Sequence, residues 1–446
     1  MNESALREWI AATTGHAVVA MTRLTGGASR VSFKVERDQA EPLLLRLDLG
    51  QGPLSDTPFT LAREYRVLRA LGDHACAAPA ALAFNPEHRA LLMTFVEGYS
   101  SGQVVLSQAA QVRQQRQLLR EILALQAIPV AQAGLADDTP TVGAAIAAEL
   151  DIWEGLYRAQ VTEPQPVLEF CWRWLRSHPP DAGAPAVLVH GDVGSGNFLF
   201  DADGTIRALI DWELVHIGHP LEDLACVLCR GLGSPLGRAS DLIHWYGELD
   251  GRAVDIDALR YCIVLVLARW SVGINIALSR LDPQLDIAML LTFRQSNLLA
   301  LLEQLALLHR IPLPPLAPSH FATTEVSGLF NYLIDNLSGV LRDACAEDFH
   351  RHRLQGLAQL TRYLRDFDSY GADHYAEEEM SRIEALLGRD WLDYQAARTA
   401  LARAARAGKS CRDTDLLAHL LWWAQREHGI LHAAMGPMAE RSLGAF

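Results

Sequence analysis

The stretch Val187–Phe200, VLVHGDVGSGNFLF, joins two apolar runs through His190, Asp192, a Gly194-Ser195-Gly196 turn and Asn197. Three chemistries compete for it. The glycines could cradle a phosphate, Ser195 could be a nucleophile, or Asp192 and Asn197 could be the working groups with glycines bending the chain between them. A nucleophile elbow has the form G-x-S-x-G. Here Gly194 directly precedes Ser195, so the serine reading is rejected. The apolar runs on either side read as strands, and a second strand, TIRALID, follows the turn residues DADG and ends at Asp211. A hairpin would return the end of that strand to the start of its partner. The carboxylate of Asp211 and the amide oxygen of Asn197 could then share one oxygen-liganded magnesium ion, a metal that keeps positions open for phosphate oxygens. Asp192 would stand clear of the ion, able to accept a hydrogen bond from a substrate hydroxyl.

This order and spacing resemble the catalytic loop of protein-kinase-like enzymes: HGDVGSGN is similar to H-x-D-x-x-x-x-N, and IDWE to the metal-binding D-F-G element. More narrowly, with HIGHPLEDLA following the metal aspartate, the chain resembles the aminoglycoside/choline phosphotransferase family. Within it, the similarity is to phosphotransferase domains related to those fused to acyl-CoA dehydrogenases. The resemblance covers roughly Leu6–Leu308. It implies an α+β, bilobal protein-kinase-like fold with a small β-rich N-lobe and a larger helical C-lobe. It also implies an enzyme that uses ATP and Mg2+ to phosphorylate a small-molecule hydroxyl, with Asp192 as the catalytic residue.

The same resemblance distributes the remaining roles. The turn TGGAS, with Gly26, Gly27 and Ser29, corresponds to the nucleotide-phosphate turn, where glycine permits close backbone approach. Arg46 on LLLRLD stands where kinases place a phosphate-binding lysine; it keeps the charge and adds a bidentate fork. Glu64 corresponds to the helix glutamate that holds this cation. Thr94 and Val96, in LLMTFVEG, correspond to the hinge whose backbone meets adenine. Asn197, Asp211 and Glu213 form the expected metal set, while His190 and Asp223 brace the loop.

Outside these motifs the chain is less specific. Of its 446 residues 50% are hydrophobic and the net charge is −14, which argues against a broad nucleic-acid surface. Seven scattered cysteines suit a reducing compartment. Cys226 and Cys229 have C-x-x-C spacing but sit in an apolar helical run, so they read as core residues. The N-terminus lacks an apolar signal core, and the longest apolar run, CIVLVLA at Cys262–Ala268, is too short to span a bilayer. These features predict a cytoplasmic protein without nucleic-acid or membrane partners.

The expected organisation is an N-lobe over 1–96, a helical C-lobe over 97–309, a proline-rich linker over 310–319 and an all-helical appendage over 320–446. The apolar face around Trp422 and Trp423 suits core packing first, and homodimer formation or a grip on another protein next. Three other functions compete: an aminoglycoside or macrolide kinase of the same fold, a non-catalytic nucleotide-binding module, and a metal hydrolase using His190, Asp192, Asp211, His216 and His219. The hydrolase leaves Asn197, Arg46, Glu64 and the Gly-Gly turn without a role. A degenerate module would lack Asp192 or Asp211.

Overall fold

The computed structural model describes residues 3–24, 30–50, 54, 57–72, 74, 76–136, 138–283, 285–315 and 321–446. Gly26, Gly27, Ser29 and residues 316–319 of the expected linker lie outside them. Helix α1 (Glu3–Thr14) precedes β1 (Val18–Arg23), β2 (Val31–Arg37) and β3 (Ala40–Leu47). Then come α2 (Leu61–Leu71), β4 (Ala81–Asn85) and β5 (Ala90–Thr94). The five strands form one antiparallel sheet in the order β1-β2-β3-β5-β4. Side chains alternate across a strand. Leu43, Leu45 and Leu47 therefore join Leu6 and Ile10 of α1 in one core, and Arg46 points to the opposite face.

Helix α2 starts where Thr60 caps it, its hydroxyl accepting the Arg63 N–H at 3.3 Å. Its buried stripe is Leu61, Glu64, Val67, Leu68 and Leu71. Tyr65 lies beside this stripe, only half-buried, and stacks on Phe84 at 6.1 Å.

Helices α3 (Gln108–Gln126), α4 (Val142–Gln160) and α5 (Pro166–Ser177) follow. Four short strands come next, β6 (Val187–Val189), β7 (Phe198–Phe200), β8 (Ile206–Leu209) and β9 (His216–Gly218), then α6 (Glu222–Arg230) and α7 (Ala239–Asp250). Strands β7 and β8 form the expected hairpin, with Phe198 opposite Leu209, and β6 pairs with β9. Helix α6 begins at Glu222, with Pro220 in the preceding turn. His219 caps that turn, its Nδ1 accepting the Leu221 N–H at 3.0 Å.

The remainder is helical: α8 (Ile256–Arg280), α9 (Ile287–Leu308), α10 (Ser327–Asp335), α11 (Leu341–Ala344), α12 (Asp348–Tyr370), α13 (Ala372–Leu387), α14 (Tyr394–Ala407) and α15 (Asp413–Met435). Helix α8, which contains the run Cys262–Ala268, has an apolar window long enough by length and composition to cross a membrane. That window is 67% buried within the protein, as expected of a core helix.

The chain forms two compact units, 1–152 with 180–259, and 153–179 with 260–446. In the second unit α9 and α12 pack on α15, α5 packs on α14, and Arg173 holds Asp413 through two bonds of 3.0 and 2.6 Å. Trp423 is buried there, and Trp422 lies against the guanidinium groups of Arg382 and Arg426 at 3.9 and 4.7 Å. The tryptophan face therefore packs within its own unit.

Candidate active site

Every site residue described here lies in the first unit. The β7–β8 hairpin brings two of the three expected metal ligands together: Ile210 N–H donates to Asn197 O at 2.9 Å, which puts Asp211 beside Asn197. Asp211 adopts a left-handed conformation (φ 67°, ψ 56°), which aspartate tolerates better than most side chains. The following turn, Trp212–Leu214, is anchored by Trp212 Nε1, which donates to Leu209 O at 2.8 Å.

Asp192 sits on the loop between β6 and β7. Asn197 Nδ2 donates both to Asp192 O at 2.8 Å and to Asp192 Oδ2 at 2.7 Å. Two acceptors therefore claim the amide nitrogen, and Asn197 Oδ1 is the atom left for a cation. The other carboxylate oxygen of Asp192 accepts from Arg230 Nη1 at 2.7 Å, while Arg230 Nε donates to Ser195 O at 2.8 Å. Ser195 Oγ donates to Ser234 O at 2.7 Å, a structural bond and not the setting of an activated nucleophile. Gly194 has φ 142° and would bring a Cβ within 2.9 Å of Arg230, so glycine there makes room for the arginine that holds Asp192.

Two buried groups brace this loop. Asp223 accepts the N–H groups of His190 at 2.9 Å and Gly191 at 3.0 Å. Burial raises its pKa to about 6, opposed by those two bonds. His190 Nε2 meets Ile210 O at 3.1 Å and its Nδ1 meets the Asp192 N–H at 3.4 Å, so the neutral ring spans the loop and the hairpin. Burial lowers its pKa to about 4. Such a ring is a spacer and not a proton carrier near neutrality.

On the sheet side, Arg46 Nη1 donates to Glu64 Oε1 at 2.5 Å. Its Nη2 lies 3.0 Å from Asp211 Oδ1 and 3.4 Å from Glu213 Oε2. Burial acts to lower the Arg46 pKa, but Glu64, Asp211 and Glu213 outweigh it and hold the guanidinium more firmly protonated than usual. Arg30 is a second buried cation at the same carboxylates, 3.2 Å from Glu64 Oε2 and 3.4 Å from Glu213 Oε2; it also donates to Phe59 O. Thr94 ends β5 opposite Leu43, its hydroxyl accepting the Ala80 N–H at 2.9 Å, and Val96 follows two residues on, half-buried. Lys34 lies 5.0 Å over the ring of the intervening Phe95.

Arg46, Glu64, Asp211 and Glu213 thus converge from three elements, while Asp192 and Asn197 join them through the hairpin. Asn197 Oδ1, Asp211 and Glu213 are an all-oxygen donor set of the kind a hard divalent cation takes. Arg30 and Arg230 were missed from sequence. Arg30 follows the Gly-Gly turn directly, and a buried glutamate on α2 was the available signal for a second cation. Arg230 lies 38 residues beyond Asp192, with no spacing cue to join them.

The phosphotransferase enzyme family (APH) model matches residues 20–259, more than half of the chain. Acyl-CoA dehydrogenase family member 11 of Mus musculus is 35% identical over 78 residues, 17% of this chain and 10% of that protein. The matched stretch is therefore a tenth of that relative's length. Viomycin phosphotransferase of Streptomyces vinaceus is 36% identical over 89 residues, 19% of this chain and 30% of that protein. Among solved structures, a Ralstonia eutropha protein assigned to the aminoglycoside phosphotransferases superposes with a TM-score of 0.52 at 21% identity, covering 66% of this chain and 94% of that one. At such identity the likeness speaks for the fold. The family match spans the sheet, the catalytic loop and the hairpin, and the chain belongs to the phosphotransferase enzyme family.

Proposed function

We propose that this protein transfers the γ-phosphoryl group of ATP, bound with Mg2+, to a hydroxyl of a small molecule. The observation that carries this reading is the convergence of Asn197 and Asp211 on paired strand ends, beside an aspartate held at both carboxylate oxygens. Magnesium-bound ATP supplies the phosphoryl group and neutralises its charge when bound. Asn197 Oδ1, Asp211 and Glu213 would hold the ion. Asp192 orients the acceptor hydroxyl and takes its proton, with Asn197 and Arg230 fixing the carboxylate's aim. Arg46 Nη1 stays on Glu64 while Nη2 is the arm able to exchange a carboxylate for a phosphate oxygen.

The acceptor we favour is a hydroxyacyl or hydroxy-acid metabolite, because the matched relatives include acyl-CoA dehydrogenase family members. The local identity with viomycin phosphotransferase supports an antibiotic acceptor as the second reading. The test is ATP turnover with magnesium across a panel of hydroxyacyl thioesters, hydroxy acids, aminoglycosides and macrolides. Asp192→Asn should lower kcat by about 10²–10⁴-fold and leave nucleotide binding largely intact. Asp211→Ala should weaken magnesium-dependent nucleotide binding instead. Unchanged kcat in Asp192→Asn would remove this aspartate from the reaction.

A further inference from the structure

Glu149, His216 and Glu222 come from α4, β9 and α6 and meet in the interior of the first unit, 4%, 5% and 0% exposed. His216 Nε2 lies 3.1 Å from Glu149 Oε2 and 3.0 Å from Glu222 Oε1. These are hydrogen-bonding separations, so one imidazole nitrogen faces two carboxylate oxygens at once, and a single N–H cannot align with both. The opposite ring nitrogen, Nδ1, lies 2.8 Å from Leu214 O. Three donor atoms gathered at one point, with the far ring nitrogen tied to a carbonyl, form the pattern of a metal-bound imidazole and its supporting hydrogen bond. An ion about 2.1 Å from each of three donors spaces neighbouring donors by about 3.0–3.4 Å.

We propose that Glu149, His216 and Glu222 bind a first-row divalent ion of the zinc or manganese class, at a site separate from the phosphoryl-transfer centre. One imidazole nitrogen and two carboxylate oxygens form a borderline donor set that suits zinc or manganese better than calcium or magnesium. A cavity of about 330 Å³ opens onto Glu149 and His216 past Phe59, Arg63 and Ala145, giving an ion a route and leaving a coordination position for water. Gly218 makes room for the ligand: a Cβ there would lie 2.5 Å from Glu222 Oε2. Without an ion the cluster needs a proton for balance. Burial acts to lower the His216 pKa, but the two carboxylates override it and raise it to about 10. Burial lowers the pKa of Arg63 on the cavity wall to about 10, an effect the charge of Glu149 opposes. A divalent ion takes over the proton's place between the carboxylates and leaves a neutral imidazole.

The site ties α4, β9 and α6 together beneath the catalytic loop. A Cβ on Gly191 would lie 3.0 Å from His216 Nδ1, and α6 also carries Asp223 and Arg230. The ion's part is therefore positional.

The test uses the full chain purified after exposure to zinc and, separately, to manganese, with metal measured by elemental analysis. About one ion per chain is expected, with a higher melting temperature than the chelator-treated protein. His216→Ala and the near-isosteric Glu222→Gln should each lower metal content about tenfold or more. Cys226→Ser/Cys229→Ser should retain it, and the cobalt(II) form should lack a thiolate charge-transfer band. If His216→Ala fails to fold, Glu222→Gln carries the test alone. Wild-type protein that takes up less than about a tenth of an ion per chain from excess zinc and from excess manganese would overturn the proposal. So would metal that leaves with the cysteines and stays without Glu222.

Discussion

Arg230 Nη1 lies 2.7 Å from Asp192 Oδ1, while Asn197 Nδ2 lies 2.7 Å from Asp192 Oδ2. The carboxylate is therefore gripped from both sides by a helix-borne cation and a loop-borne amide. Its rotamer is set before any acceptor arrives. Because Arg230 Nε also binds Ser195 O, the arginine fixes the loop as well as the side chain.

Removing that grip should affect turnover more than nucleotide binding. Arg230→Ala is expected to lower kcat by about 10–100-fold through misplacement of Asp192, with the KM for ATP little changed. Arg230→Lys, which keeps a charge but loses the fork, should recover part of the loss. Steady-state kinetics with ATP and acceptor varied separately checks this. An equal rise in KM for ATP would assign Arg230 to nucleotide binding instead.

Arg46 should show the opposite division. A lysine ammonium cannot reproduce the fork that reaches both Glu64 and Asp211. Arg46→Lys is expected to raise the KM for ATP about tenfold, equivalent to about 1.4 kcal/mol. Its effect on folding should be small, because Arg30 remains 3.2 Å from Glu64 and keeps that buried carboxylate paired. Replacing Arg30 and Arg46 together should cost much more stability than the two single changes summed, since Glu64 then loses both cations. Urea denaturation of the three variants measures the coupling.

His190 sets a pH dependence. Its folded pKa is lowered to about 4, below the ordinary value of 6.5, because burial disfavours the charged ring. Between those values the unfolded chain binds more protons than the folded one, so stability rises with pH across the window and is lost as pH falls through it. The full span corresponds to about 3 kcal/mol. His190→Gln should flatten this part of the stability profile measured by denaturation from pH 4 to 7. A mutant profile as steep as wild type would assign the acid lability to other groups.

In the second unit, Glu379 is fully buried and accepts from Arg398 at 2.5 Å, Tyr394 at 2.7 Å and Arg426 at 2.7 Å. Glu379→Gln leaves two guanidinium groups without their shared charge, at a cost of about 3–5 kcal/mol. Urea unfolding followed by tryptophan fluorescence reports it directly, since Trp422 and Trp423 lie against Arg426 and Arg398 at 4.7 and 5.1 Å. A loss below about 1 kcal/mol would mean the site is solvated.

Local chemistry was legible in the sequence wherever one short segment carries the whole cue. Four of the five strands of the N-terminal sheet follow from short apolar runs and turn residues, whereas β4 (Ala81–Asn85) carries no such cue. The neighbouring positions of Asn197 and Asp211 follow from a hairpin whose turn lies between them, and Glu64 faces inward because it borders an apolar stripe of α2. Tertiary structure alone decided the rest. It placed Arg230 on Asp192 and Arg30 on Glu64, gathered Glu149, His216 and Glu222, and grouped α5, α8 and α9 with the C-terminal helices. These pairings join residues far apart in the chain, and the reason is common to them. A buried charge must find an opposite charge or donor, and which one it meets depends on how whole elements pack. Periodicity shows which face of a helix or strand turns inward, but not what waits on the other side.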